Sequence, residues 1–294
     1  MRSTPGPGGE AARPLTEGEL WTREQLEALL AGSFRPSAVG RFLLDSQRRA
    51  NRIRRGRPEL GGRARAWIGA GALAWIALAA AGVQPYRRRA RGGLAWWALT
   101  GAMLDWHLGM VETEDGRPRQ LSCADAATLL RVWLVPVAAD APTPAICAVA
   151  ATSDLLDGAL ARLAEPTRIG RDLEGLADTC FAVAALRGAL ARGWVSRWAA
   201  AGETARLLAG LAYALYVYFG QAGVPSRTLT RAARMTTPIR AAGLIAAGTR
   251  RRGLANALII GGSAGSVAAV AAALGGHRQP GPGRGAGRAL PRAG

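Results

Sequence analysis

The residues best suited to chemistry are four acids in one stretch, DLLDGALARLAEPTRIGRDLEGLAD, which runs from Asp154 to Asp178 inside an otherwise apolar half of the chain. A carboxylate in or beside hydrocarbon is costly, so acids in such surroundings point to a functional task. Asp154 and Asp157 are three residues apart, and Glu174 and Asp178 are four apart, so each pair shares one face of a helix. Pro166 and Gly170 suit a short turn between two helices, and the two acidic faces could meet across that hairpin. Facing carboxylates repel unless a cation stands between them. Hard oxygen donors suit Mg²⁺ or Mn²⁺, and two such ions could clamp a diphosphate. Gly158 and Ala161 keep one side of the first helix small enough for a nucleotide to approach the backbone, and Arg162 adds a fixed positive charge for phosphate.

These residues resemble the signature of the CDP-alcohol phosphatidyltransferases, D-x-x-D-G-x-x-A-R followed after a short gap by G-x-x-x-D-x-x-x-D. Asp154, Asp157, Gly158, Ala161, Arg162, Gly170 and Asp178 stand in step with it, and Glu174 replaces the third aspartate. The resemblance covers roughly residues 121 to 276 and not the N-terminal part. It implies a transferase of phospholipid synthesis that moves a phosphatidyl or other substituted phosphate group from a CDP-linked donor to an alcohol, releasing CMP. The implied donor is most often CDP-diacylglycerol. The resemblance also implies that Asp154, Asp157, Glu174 and Asp178 hold two Mg²⁺ or Mn²⁺ ions, with Asp178 acting in addition as general base. Asp154, Gly158, Ala161 and Arg162 would line the nucleotide. The run Asp125, Thr128, Arg131 is similar to the Asn–Thr–Arg pattern often found in this family's first helix, with Asp125 in place of Asn. Arg131 could hold nucleotide or phosphate, or equally serve as the buried partner of an acid.

Glu174 is one methylene longer than aspartate, and Mg²⁺ demands near-ideal octahedral geometry. Asp172 is poorly placed to substitute, because two residues along a helix point about 200° apart. The competing reading is therefore a catalytically degenerate member that keeps the fold as a lipid-binding or scaffold module. A transporter would more naturally carry broken helices with acids near the midplane, whereas these acids cluster at helix ends.

Positioning such a site calls for an all-α, polytopic membrane bundle. Six spans are expected in the family-like region 121–276: Leu121–Ala139, Pro144–Ala161, about Arg171–Ala191, Trp198–Gly220, a short Thr237–Ala247 and Leu254–Leu274. Residues 63–112 read as an extra transmembrane or re-entrant hairpin, Ala66–Val83 and Leu94–Val111, each near the roughly 20 residues that cross a bilayer. Trp67, Trp96 and Trp97 sit near the ends of these spans, where indoles favour the interface. Asp105 and His107 in the second could serve the site or make a contact inside the bundle. Residues 1–62 form an N-terminal interfacial region. In it Thr22 and Gln25 suggest a capping box, and a helix over Ser37–Arg55 carries Arg41, Arg48, Arg49, Arg52 and Arg55 beside an apolar face. Residues 1–14 and the tail 277–294 read as disordered.

The formal net charge of +18 comes from arginine alone, since the chain has no lysine. With apolar spans present, anionic lipid headgroups are the partner, not nucleic acid. Positive-inside counting places the N-terminus and the acids on the cytoplasmic side of a bacterial inner membrane, although Arg87, Arg88, Arg89 and Arg91, and Arg250 to Arg252, run against it. Arg227, Arg231, Arg234 and Arg240 follow the fourth span and suit a phosphorylated acceptor such as glycerol 3-phosphate. The chain could also pair with a second copy as a homodimer. Cys123, Cys147 and Cys180 lack metal or redox spacing and read as small buried residues.

Overall fold

The computed structural model describes residues 16–113, 115–163, 167–219 and 227–276. Among these, all regular structure is helical apart from one isolated β-bridge between Glu112 and Pro118. Helix starts follow local chemistry. Thr16 caps α1 (Glu17–Ala31) in a reciprocal box with Glu19, prolines open α2 (Pro36–Gly56) and α3 (Pro58–Ala80), and Ser122 with Asp125 caps α5 (Cys123–Asp140). The box expected at Thr22 and Gln25 does not form, because α1 begins earlier. Thr22 lies inside it and donates its hydroxyl to the Gly18 carbonyl.

After α4 (Ala90–Trp106) and a short 3-10 turn at Leu108–Met110, the six helices of the second half are α5, α6 (Pro144–Leu163), α7 (Arg168–Ala191), α8 (Arg197–Phe219), α9 (Arg227–Gly248) and α10 (Arg252–Gly276). The ninth is twice the expected Thr237–Ala247, since Pro238 sits within the helix and does not start it. Helices α5, α6 and α7 pack as one group and α8, α9 and α10 as another, with α6 and α7 meeting α9 between them. Where α7 crosses α5, a Cβ on Gly188 would fall 2.3 Å from the Ala138 carbonyl oxygen, so only glycine allows that approach.

The α3–α4 pair leans on α5 through tryptophans. The indole of Trp96 donates to the Val132 carbonyl (2.8 Å), Trp97 to Ile68 (2.7 Å) and Trp133 to Gly71 (2.9 Å). Trp96 and Trp97, expected as interface anchors, thus hold helices together. A buried indole N–H needs an acceptor, and a facing backbone supplies one. Asp105 and His107 are also used locally: the Arg54 guanidinium lies 2.9 Å from Asp105, and His107 Nδ1 lies 2.7 Å from the Met103 carbonyl. On α2, Arg41, Arg48, Arg52 and Arg55 are exposed as the interfacial reading requires. Arg49 instead turns inward and bonds both carboxylate oxygens of Glu17 at 2.7 and 3.0 Å. Cys147 is buried and Cys180 half-buried, whereas Cys123 is exposed at the start of α5.

Arg252–Leu274 of α10 is, among the described residues, the helix segment long and apolar enough to cross a membrane by length and composition alone. Large apolar side chains nevertheless face outward on several helices: Leu73, Leu99, Leu155 and Leu208 are all more than half exposed.

Candidate active site

Three helices converge on the acids. The capping box that starts α5 fixes its first turn, and Thr128 and Arg131 follow on the inward face, both buried. On α6, Asp154 and Asp157 point the same way, as three-residue spacing requires, and Asp157 is the deeper of the two. On α7, Thr167 caps the helix by accepting the Gly170 N–H at 3.1 Å, and Glu174 and Asp178 lie in its second and third turns.

The Arg131 guanidinium stands among three of the four acids. Nη2 lies 3.0 Å from Asp157 Oδ2, Nη1 lies 3.3 Å from Asp154 Oδ1, and Nε lies 2.9 Å from Asp178 Oδ1. Only the Asp157 contact has hydrogen-bond geometry. Nε and Nη1 are buried but not aimed at their neighbouring carboxylates, so both retain donor capacity. The Thr128 hydroxyl also donates to Asp157.

Asp154, Glu174 and Asp178 form a second grouping, with one oxygen from each lying within 4.8 Å of the others. An all-carboxylate set of hard oxygens fits Mg²⁺ or Mn²⁺ by donor chemistry. Asp157 stands outside this trio, taken up by Thr128 and Arg131. Gly158 lies on α6 beside it, and the side chains of Ala161 and Arg162 fall outside the described residues.

A cavity of about 380 Å³ adjoins the trio, lined by Arg131, Asp154 and Asp178 and also by Glu203, Arg206 and Arg240. Glu203 of α8 is buried. It pairs with Arg240 and Arg206, each at 2.8 Å, and accepts the Ser263 hydroxyl at 2.7 Å. Sequence reasoning passed over Glu203 and Arg206, although an acid and an arginine three residues apart in an apolar span were a usable signal. Of the four arginines expected to meet an acceptor, the structure describes three side chains. Arg231 and Arg234 are exposed, the Arg227 side chain lies outside the described residues, and only Arg240 lines the cavity. Nine residues along a helix from Arg231, Arg240 falls on the opposite face.

A helical bundle that gathers carboxylates and a buried guanidinium on one cavity has the makeup of an enzyme handling phosphorylated substrates. The family model for CDP-alcohol phosphatidyltransferases matches residues 121–272, just over half of the chain, and the chain belongs to that family. Its members are membrane-integral, generally depend on divalent metal, and transfer a phosphate-linked group from a CDP-alcohol to an alcohol acceptor. No curated protein and no solved structure matches the chain significantly.

Proposed function

We propose that this protein transfers the phosphatidyl group of CDP-diacylglycerol to glycerol 3-phosphate at the cytoplasmic face of a bacterial inner membrane, releasing CMP. The observation that carries this reading is the trio Asp154, Glu174 and Asp178 closing on one point beside the buried Arg131. The outward-facing leucines of α3, α4, α6 and α8 support a lipid setting, since soluble monomers rarely expose so much apolar surface.

Asp154, Glu174 and Asp178, with Asp157 behind them, would hold Mg²⁺ or Mn²⁺, whose charge would offset that of the diphosphate. Arg131 presents Nε and Nη1 to phosphate oxygens, and Thr128 with Asp157 keeps its guanidinium in place. Gly158, Ala161 and Arg162 line the nucleotide. Asp178 takes the proton of the acceptor hydroxyl. That oxygen attacks the β-phosphorus, the bond from this phosphorus to the bridging oxygen breaks, and CMP leaves with the bonding pair. Arg240 and Arg206, which line the same cavity, meet the acceptor phosphate. Two guanidiniums against the single Glu203 carboxylate leave that wall net positive.

One observation favours the second reading, a lipid-binding module without turnover: Arg131 already neutralises part of the acidic cluster that a metal ion would otherwise bind. Purified protein supplied with CDP-diacylglycerol, Mg²⁺ and a panel of alcohols separates the two. CMP release with glycerol 3-phosphate, and phosphatidylglycerophosphate identified by mass, are expected. Absence of CMP with every acceptor assigns the module instead.

A further inference from the structure

The first turn of α7 is gripped by residues that lie before the family region. Arg168, the first residue of α7, is 7% exposed. Its backbone N–H donates to the Glu112 carbonyl at 2.9 Å. Its guanidinium donates to the Thr16 hydroxyl at 2.6 Å, pairs with the Glu19 carboxylate, and lies 3.5 Å from Glu112 Oε1. Thr16 and Glu19 are the two halves of the α1 capping box, and the Thr16 hydroxyl also lies 2.8 Å from Glu112. One guanidinium therefore joins the start of α1, the turn around Glu112 and the start of α7.

The turn that carries Glu112 is itself held. The Arg119 N–H donates to the Val111 carbonyl at 3.0 Å, the Thr113 N–H to Arg117 at 2.9 Å, and Arg57 reaches the Val111 carbonyl at 3.2 Å. On the far side of the same helix end, the Thr167 hydroxyl lies 3.5 Å from Asp125 of α5. A Cβ on Gly170 would come within 3.0 Å of Thr167 Oγ1 and 3.1 Å of Asp125 Oδ1, so the α5–α7 contact there is tight.

Glu174 and Asp178 follow Arg168 by six and ten residues on one rigid helix, about 9 and 15 Å along its axis. A helix held at its first turn by backbone and side chain can neither slide nor rotate without breaking those bonds. Removing one partner of a buried ion pair leaves an uncompensated charge, which gives the grip its strength.

We propose that Arg168 is a positioning residue, and that the N-terminal extension, through Glu19 and Glu112, sets the placement of Glu174 and Asp178 opposite Asp154. This rests on reading those three carboxylates as the working cluster. The extension is then part of the catalytic apparatus and not merely a membrane appendage.

Full-length Glu19→Gln, Arg168→Met and Arg168→Lys proteins are compared with the unmodified chain by three measurements: Mn²⁺ binding without substrate by electron paramagnetic resonance, hydrogen exchange across residues 168–178, and kcat and KM for CMP release. Glu19→Gln and Arg168→Met are expected to weaken Mn²⁺ binding about tenfold, the lower end of what outer-shell substitutions cost. They should also speed exchange in the first turns of α7, and lower kcat with little change in donor KM. Arg168→Lys should recover part of each. Asp45→Ala removes an exposed pair with Arg48 on α2 and should change none of them. Unaltered Mn²⁺ affinity and exchange in both Glu19→Gln and Arg168→Met overturn the proposal. If Arg168→Met does not fold, Glu19→Gln decides alone, because it leaves Arg168 its Thr16 and Glu112 partners. If even the unmodified chain releases no CMP, the proposed reaction fails, while hydrogen exchange, which needs neither metal nor substrate, still decides whether the extension holds α7.

Discussion

Arg131 of α5 and Asp157 of α6 are bonded to each other, Nη2 to Oδ2 at 3.0 Å, with both side chains buried. The pair gives the acidic cluster an internal counter-charge. Four carboxylates against one guanidinium still leave the cluster negative, so it attracts cations.

Replacing Arg131 by Met keeps much of the volume and removes the charge. Asp157 is then buried without its cation, and losing one partner of a buried pair costs about 3–5 kcal/mol. A clear fall in the thermal midpoint of the purified protein is expected, together with loss of CMP release. An unchanged midpoint would show that Asp157 does not need Arg131.

Asp157→Ala and Asp178→Ala should each abolish turnover, for separate reasons. Without Asp157, Arg131 loses its one aligned acceptor and can swing towards Asp154 and Asp178, so Mn²⁺ binding should weaken along with activity. Without Asp178, one carboxylate of the trio and the base are both lost, and a positioned base alone is worth about 10²–10⁴ in rate. Turnover should also stop in excess chelator. Near-normal CMP release from either variant, or from the chelated protein, would refute the assignment of this cluster.

Glu174→Gln should cost far more activity than Glu174→Asp. Gln keeps the length but loses the charge, and metal-borne stabilisation worth several kcal/mol corresponds to about 100-fold or more in rate. Asp keeps the charge and restores the family's residue. The check is CMP release for native, Gln and Asp forms across Mg²⁺ and Mn²⁺ titrations. Should all three be equally active, Glu174 does not contribute to ion binding. An inactive native protein revived by Glu174→Asp would mark the site as degenerate.

Glu203→Gln leaves Arg206 and Arg240 without their shared anion on the cavity wall. With the wall more positive, KM for glycerol 3-phosphate is expected to fall by about tenfold, a shift of about 1.4 kcal/mol, while KM for CDP-diacylglycerol stays near its native value. A rise would mean instead that Glu203 orients the two arginines and that its charge does not oppose the acceptor. A donor KM that moves as much as the acceptor KM would remove this wall from the acceptor site.

Much of this protein was legible in its sequence because the relevant signals are local. Helix faces follow from spacing, so Asp154 with Asp157, and Glu174 with Asp178, could be paired by counting residues. The family motif lies in one continuous stretch, and apolar runs marked the helices, although the starts of α3 and α9 were placed eight and ten residues late. The errors were also local in origin. Thr22 imitates a cap that Thr16 provides, and Pro238 reads as a helix start although it lies inside α9. What only the tertiary structure decided is how one face is turned towards another. Counting along a helix fixes the angle between two of its own side chains, but not its rotation against its neighbours. That rotation depends on contacts such as Gly188 against the Ala138 carbonyl, Trp133 on Gly71 and Arg168 on Glu19, which join residues far apart in the chain. For this reason the choice of Asp157 as the acid that Arg131 bonds, Asp157 behind the trio, Glu203 between two arginines and the N-terminal grip on α7 emerged only once the helices were packed.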